Sequence, residues 1–251
     1  MTGGAMASPG GASPMRIETL PDARAVAARA ARWLAEAARE AVEARGRFTL
    51  ALSGGHTPWQ MLRALADEQV PWAKVHLFQV DERVAPPGHP DRNLTHIRES
   101  LLGAAGALPA TLHPMPVEEE DLAVAAARYQ RELEAVAGSP AVLDAVQLGL
   151  GPDGHTASLV PGDPALDVLE ADVAVTGPYA GRVRMTLTYP SLDRARARLF
   201  VVTGTEKARV LPRLVAGDPS IPAGRVSTLR TLVLADVDAA VALRADAQGR
   251  R

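Results

Sequence analysis

What most constrains this chain is a unit that recurs along it. A short apolar run breaks off at a cluster of small and charged residues, and a segment of helical periodicity follows. Phe48-Thr-Leu-Ala-Leu52 reads as a buried strand ending in Ser53-Gly54-Gly55. Thr57-Pro58-Trp59-Gln60 then predicts a helix entry, with Thr57 as N-cap, Pro58 at the first helical position and Gln60 completing a capping box. Upstream, Val26, Ala30, Trp33, Ala37 and Ala41 recur every three or four residues, which predicts a helix over 22–45 stopped by Gly46. Residues 75–80 form the next apolar run and lead into Asp81-Glu82-Arg83. A Pro/Gly-rich loop over 86–90 precedes a short helix opened by Asn93, and a longer helix is predicted over 118–136. The run 145–148 ends in Gly149-Leu-Gly-Pro-Asp-Gly-His155. Residues 183–188 alternate, with Val183, Met185 and Leu187 on one side and Arg184, Thr186 and Thr188 on the other. A run over 199–202 ends in Thr203-Gly-Thr-Glu-Lys207 before another helix, and 232–234 reads as a last strand with Asp236 at its end.

Strands alternating with helices place the chain in the α/β class: a mostly parallel, Rossmann-like sheet with helices on both faces. No linker divides residues 16–251, so a single domain is expected. Residues 1–15 are Gly/Ala/Ser/Pro-rich without a basic or apolar region, and read as a disordered leader or a non-native remnant, not a signal peptide.

Composition narrows the function classes. The formal net charge of −2 does not provide the concentrated basic surface that nucleic-acid backbones require, so no nucleic-acid partner is expected. No apolar run approaches the ~18 residues of a membrane span. The chain contains no cysteine, which removes disulfides, thiol nucleophiles and Cys-ligated zinc together. A cytoplasmic protein, monomeric or weakly homo-oligomeric, is the expectation.

Open parallel sheets bind ligands at the carboxyl ends of their strands. Those ends collect Ser53-Gly54-Gly55-His56-Thr57, Asp81-Glu82-Arg83, Asp153-Gly154-His155 and Thr205-Glu206-Lys207. The Ser53–Thr57 loop suits a phosphate, because glycines let the backbone approach an anion and the following helix aims free N–H groups at it. The same loop without a ligand is a tight turn with a helix cap, and Thr57 as N-cap would account for it. Lys207 stands out because the chain has only two lysines and uses arginine elsewhere. A cation entering a helix opposes the helix dipole unless an anion is bound there. Arg184, on the polar face of its strand, is a second cation candidate.

Gly149-Leu-Gly-Pro-Asp-Gly154 fits the dinucleotide pattern G-x-G-x-x-G, but Pro161-Gly162 cuts off the helix that pattern needs, and Asp153 would repel a pyrophosphate. Asp153 and His155 read better as an acid–base pair. Neutral imidazole can take a proton from water near pH 7, and a carboxylate can fix its tautomer. The glycine turn and Arg83 would serve a developing oxyanion. No His-x-x-x-His or other ligand spacing supports a metal.

In order along the chain, Ser53-Gly-Gly-His-Thr-Pro58, Asp81-Glu-Arg83, Gly149-Leu-Gly-Pro-Asp-Gly-His-Thr-Ala-Ser158 and Arg184-Met-Thr-Leu-Thr188 resemble the motif set of the 6-phosphogluconolactonase family. The likeness spans roughly residues 17–240. It implies a fold shared with glucosamine-6-phosphate deaminases, a sugar-phosphate lactone as substrate and no cofactor. By that resemblance His155 is the general base, with Asp153 and Arg83 in the catalytic group. Ser53, Gly54, Gly55, Thr57, Asp81, Arg184 and Lys207 would bind substrate, the 6-phosphate resting on Arg184, Lys207 and the Ser53 loop. Val160, Ala85 and Arg92 depart from the family's usual residues at their positions. The deaminase is the rival reading, but its signature carries a Glu shortly after Asp-Gly-His, where this chain has Thr156-Ala-Ser-Leu-Val160. A non-catalytic sugar-phosphate-binding module would have no use for Asp153 and His155 together.

Overall fold

The computed structural model describes residues 15–102 and 110–243; the segment read as a leader lies outside them except for Met15. Seven parallel strands form the main sheet: β1 (Arg16–Leu20), β2 (Phe48–Leu52), β3 (Val75–Gln79), β5 (Thr111–His113), β6 (Ala145–Leu148), β9 (Arg198–Val202) and β10 (Thr231–Asp236). Their spatial order is β1-β10-β9-β6-β2-β3-β5. A second sheet, which the sequence reading does not anticipate, is antiparallel with order β4-β8-β7: β4 is Asp81–Arg83, β7 Val173–Val175 and β8 Arg184–Leu187.

Helices cover both faces of the main sheet. On one side α1 (Ala23–Arg45), α2 (His56–Ala66) and α3 (Asn93–Ile97) pack Leu34, Met61, Leu62 and Ile97 against Phe48, Leu50 and Leu52 of β2. On the other, α4 (Leu122–Ala137), α5 (Tyr189–Arg194) and α6 (Leu211–Val215) bring Tyr129, Leu133, Leu192 and Leu211 against Phe78, Val146 and Phe200. Because both faces are covered, every residue of β2 and β9 is buried, and such strands read as continuous apolar runs. Among the described residues no helix is long and apolar enough to cross a membrane.

The expected start and stop of α1 are found. Asp22 accepts from the Ala25 amide (2.8 Å), and Gly46 closes the helix in the left-handed region with φ 74°. Three expectations need correction. The helix entry after β2 does not use Thr57 as its cap: Gly55 takes that position with φ 127°, His56 is the first helical residue, and Pro58 is the third. Gln60 bonds to the His56 ring and completes no capping box. The helix expected over 118–136 begins at Leu122, because Asp121 accepts from the Ala123 and Val124 amides. Finally, the alternating segment 183–188 is not half exposed. β8 is buried on both faces, since Met185 and Leu187 join the core and Arg184 and Thr186 are also enclosed.

Val80 joins the two sheets. Its amide donates to the Leu52 carbonyl, its carbonyl accepts from Leu187, and the chain bends there from β3 into β4 (both bonds 2.8 Å). The small sheet is thereby fixed beside the carboxyl ends of the central strands.

Candidate active site

The four strand ends meet around one cavity of about 450 Å³, within the range of about 300–1,000 Å³ typical of small-molecule sites. Ser53, Gly54, Gly55, Thr57, Asp81, Arg83, His155, Arg184 and Lys207 all line it, as the sequence predicts. Asp153 does not line it; its carboxylate contacts His155 instead.

The acid–base pair is local and tight. Asp153 Oδ1 accepts from the His155 amide (3.1 Å) and lies 2.6 Å from ring Nδ1. With the proton on Nδ1, Nε2 is left free to accept. The turn needs Gly151 for this: a Cβ there would fall 2.0 Å from His155 Nδ1. Burial works against ionisation of Asp153, but the His155 amide, the His155 ring and the Tyr179 hydroxyl outweigh it and hold the carboxyl below its ordinary range. The first helical element after β6 is a single 3-10 turn, Pro164–Asp167, so no α-helix opens directly from the glycine turn, consistent with rejecting a dinucleotide loop. The Gly151 amide donates to the His155 carbonyl (2.8 Å) and the Gly154 amide to the Gly151 carbonyl (3.0 Å), so those two are not available to an oxyanion. This corrects the expectation that the glycine turn as a whole supplies donors.

Arg83 and Arg184 face each other directly across β4 and β8. Like charges in that position repel. Burial and the adjacent Arg83 cation push Arg184 below its ordinary value. Arg83 Nη1 donates to the Asp91 carbonyl (2.8 Å) and Arg184 Nη2 to the Tyr179 carbonyl (3.3 Å). The buried Nε of each has no hydrogen-bond partner among the described residues. Two cations held side by side, each with donor capacity left over, are chemically suited to an anion.

Lys207 also lines the cavity, but its local setting differs from the expected one. It closes a single 3-10 turn, Thr205–Lys207, and does not open an α-helix, so the conflict with a positive helix end does not arise. Its Nζ is 3.5 Å from the Glu206 carboxylate. Across the cavity floor, Thr57, released from capping, bonds to Thr203 (2.5 Å).

Asp81 is a hub more than a free ligand. Its carboxylate accepts from Ser158 Oγ (2.6 Å), Asn93 Nδ2 (3.3 Å) and Ser53 Oγ (3.4 Å). Glu82 is fully buried and accepts from the Asn93 and Leu94 amides (2.8 Å each), which anchors α3. It also accepts from Gln79 Nε2 and the Arg83 amide (2.8 Å each) and pairs with buried Arg92 (3.1 Å), which also reaches Glu118. The unusual Arg92 is therefore part of the scaffold beneath the site. Asn93 lies so near the Ser53–Thr57 loop that a Cβ on Gly54 would fall 1.8 Å from its Oδ1. Among the described residues no group of three or more His, Asp or Glu side chains could hold a metal ion.

Thr203, Asn93, Glu206 and Tyr179 belong to the site or its support but are not singled out by sequence. Thr203 and Glu206 stand within a motif already identified. Tyr179 sits in a short turn with no local signature.

Comparison with known proteins gives a consistent result. A family model described as glucosamine-6-phosphate isomerases/6-phosphogluconolactonase matches residues 21–234. A 6-phosphogluconolactonase of Mycobacterium tuberculosis is 39% identical over 241 residues, covering 90% of this chain and 98% of the relative. A 6-phosphogluconolactonase of a Nostoc species is 38% identical over 204 residues, covering 80% and 85%. The solved 6-phosphogluconolactonase of Trypanosoma cruzi superposes with a TM-score of 0.80 at 25% identity, covering 92% of this chain and 97% of that one.

Proposed function

The chain belongs to the glucosamine-6-phosphate isomerase/6-phosphogluconolactonase family, and we propose that it hydrolyses 6-phospho-D-glucono-1,5-lactone to 6-phosphogluconate in the oxidative pentose phosphate pathway. The observation that carries the mechanism is the pairing of His155 Nδ1 with Asp153 at 2.6 Å in a ring that lines the cavity.

Water beside the lactone carbonyl gives a proton to His155 Nε2 as its oxygen bonds to C1. The imidazolium that forms keeps its Nδ1–H on Asp153, which stabilises the new charge. Negative charge developing on the carbonyl oxygen is met by Arg83, whose other end is fixed on the Asp91 carbonyl. When the tetrahedral intermediate collapses, the bond from C1 to the ring oxygen breaks, and the same imidazolium returns its proton to that oxygen. No covalent enzyme intermediate is required. Arg184, Lys207 and the Ser53–Thr57 loop hold the 6-phosphate, whose charge offsets the repulsion between Arg83 and Arg184. Binding energy taken from this remote group positions the carbonyl against His155.

The proposal extends to a cytoplasmic enzyme that is a monomer or weak homo-oligomer. Buried Val160 stands where the deaminase signature carries its Glu, and the nearby hydroxyls are spent on structure: Thr156 donates to the Gly149 carbonyl (2.8 Å) and Ser158 to Asp81. The test compares the purified protein on two substrates in the presence of a chelator. Opening of 6-phosphogluconolactone without ammonia release from glucosamine 6-phosphate is expected; ammonia release with no acceleration of lactone opening would refute the reading.

A further inference from the structure

One side chain outside the sequence motifs touches both halves of the site. Tyr179 begins a tight turn in which Ala180 and Gly181 take φ of 50° and 77°, and Tyr179 and Arg182 exchange backbone hydrogen bonds (2.9 and 3.2 Å). Arg182 braces this turn by donating to Asp91 (2.9 Å), the residue whose carbonyl also holds Arg83. The Tyr179 hydroxyl donates to Asp153 Oδ2 (3.1 Å), leaving Oδ1 to His155. Its ring meets the His155 ring edge to face, 5.4 Å between centroids. The Arg184 guanidinium lies over the same ring at 5.0 Å, and bonds to the Tyr179 carbonyl.

A carboxylate held through one oxygen alone, here Oδ1 by the His155 amide and ring, can still turn about that oxygen. A bond on the other oxygen removes that freedom. Burial and the neighbouring Asp153 charge raise the Tyr179 phenol above its ordinary value, which keeps it a donor. The guanidinium stacked on the ring gives the same residue a grip on the anion site.

We propose that Tyr179 is a positioning residue for lactone hydrolysis: it fixes Asp153 so that one carboxylate oxygen meets His155 Nδ1, and it couples that pair to the pose of Arg184. This rests on the lactone-hydrolase reading above.

The test measures kcat, KM and pH profile for Tyr179→Phe and Tyr179→Leu, beside His155→Ala. Tyr179→Phe keeps the ring and loses the hydroxyl. Its kcat should fall about 5- to 10-fold, the worth of roughly one hydrogen bond, with KM within about twofold. Without the phenol, more charge rests on Asp153 Oδ1 and favours the imidazolium, so the acid limb of the profile should move to higher pH. Tyr179→Leu should in addition raise KM, because Arg184 loses the ring beneath it. Wild-type kcat and pH profile in Tyr179→Phe would overturn the proposal, as would equal changes of kcat and KM in both variants with an unmoved profile. An inactive His155→Ala beside an unaltered Tyr179→Phe overturns the positioning role alone. Full turnover in His155→Ala overturns the proposed base, and the role of Tyr179 with it.

Discussion

At Gly151 the site has no room for a single added carbon. A methyl group there would occupy the space of the His155 imidazole, at 2.0 Å from Nδ1 and 2.7 Å from the Asp153 carboxylate. Gly151→Ala should therefore cut kcat/KM by about 100-fold or more by displacing the base, with only a small shift in melting temperature, because the turn is at the surface of the core. Kinetics and a thermal melt on the same preparation check it, and unchanged kinetics would contradict the geometry described. The charge on Asp153 follows a definite sign. Its folded value is depressed, so its contribution is complete above the unfolded value of about 4 and is lost only as pH falls through the folded one. Activity lost well above about pH 4 is thus not due to protonation of Asp153. His155 and Asp153 were legible from sequence because they are two residues apart and their contact is local. Tyr179 was not, because its bond to Asp153 spans 26 residues and depends on how two sheets meet.

Among the elements, α3 shows how a short helix is held where its propensity would not suffice. Even with the π-helical turn Arg98–Leu102 that continues it, α3 is too short to sustain itself, and it has no side-chain cap from Arg92. Glu82, arriving from β4, accepts its first amides and pairs with Arg92 in the interior. Glu82→Gln removes the charge that compensates buried Arg92 and turns an acceptor into a donor. A loss on the order of 3 kcal/mol is expected, read as a lower urea midpoint; a change under about 0.5 kcal/mol would show that Arg92 does not depend on Glu82. The strand ends of β2, β3, β6 and β9 were readable because largely buried strands give mostly apolar runs with abrupt polar stops. β5 and β7 are three residues each, too short to show a period. β1 is an edge strand of mixed exposure and gives no apolar run. The cap after β2 was misread for a physical reason: Gly55 can adopt φ 127°, so the helix starts earlier and leaves the Thr57 hydroxyl to the cavity.

For the whole molecule, the cavity is a junction. The main sheet supplies the Ser53–Thr57 loop, His155 and Lys207, the small sheet supplies Arg83 and Arg184, and Val80 ties the two together. A phosphorylated ligand spanning that junction should stabilise the fold as a unit. At about 100 times its Kd, 6-phosphogluconate should add about 2.7 kcal/mol, raising the melting temperature, while gluconate at the same concentration adds little. Lys207→Ala should shrink the gain and raise KM for the phosphorylated lactone about 10-fold or more. An equal loss on unphosphorylated gluconolactone would contradict a phosphate role. The parallel class and helices on both faces followed from the alternation of elements, whereas the antiparallel sheet did not, since β4 comes from a distant part of the chain to join the neighbouring β7 and β8.

The central claim is that an imidazole, oriented by its carboxylate neighbour, takes the proton from the attacking water. The most direct measurement is the turnover of 6-phosphogluconolactone by His155→Ala, together with its affinity for 6-phosphogluconate by calorimetry. The account predicts a fall in kcat of about 10²- to 10⁴-fold with product affinity kept within about threefold. Turnover within tenfold of the unaltered protein would contradict it.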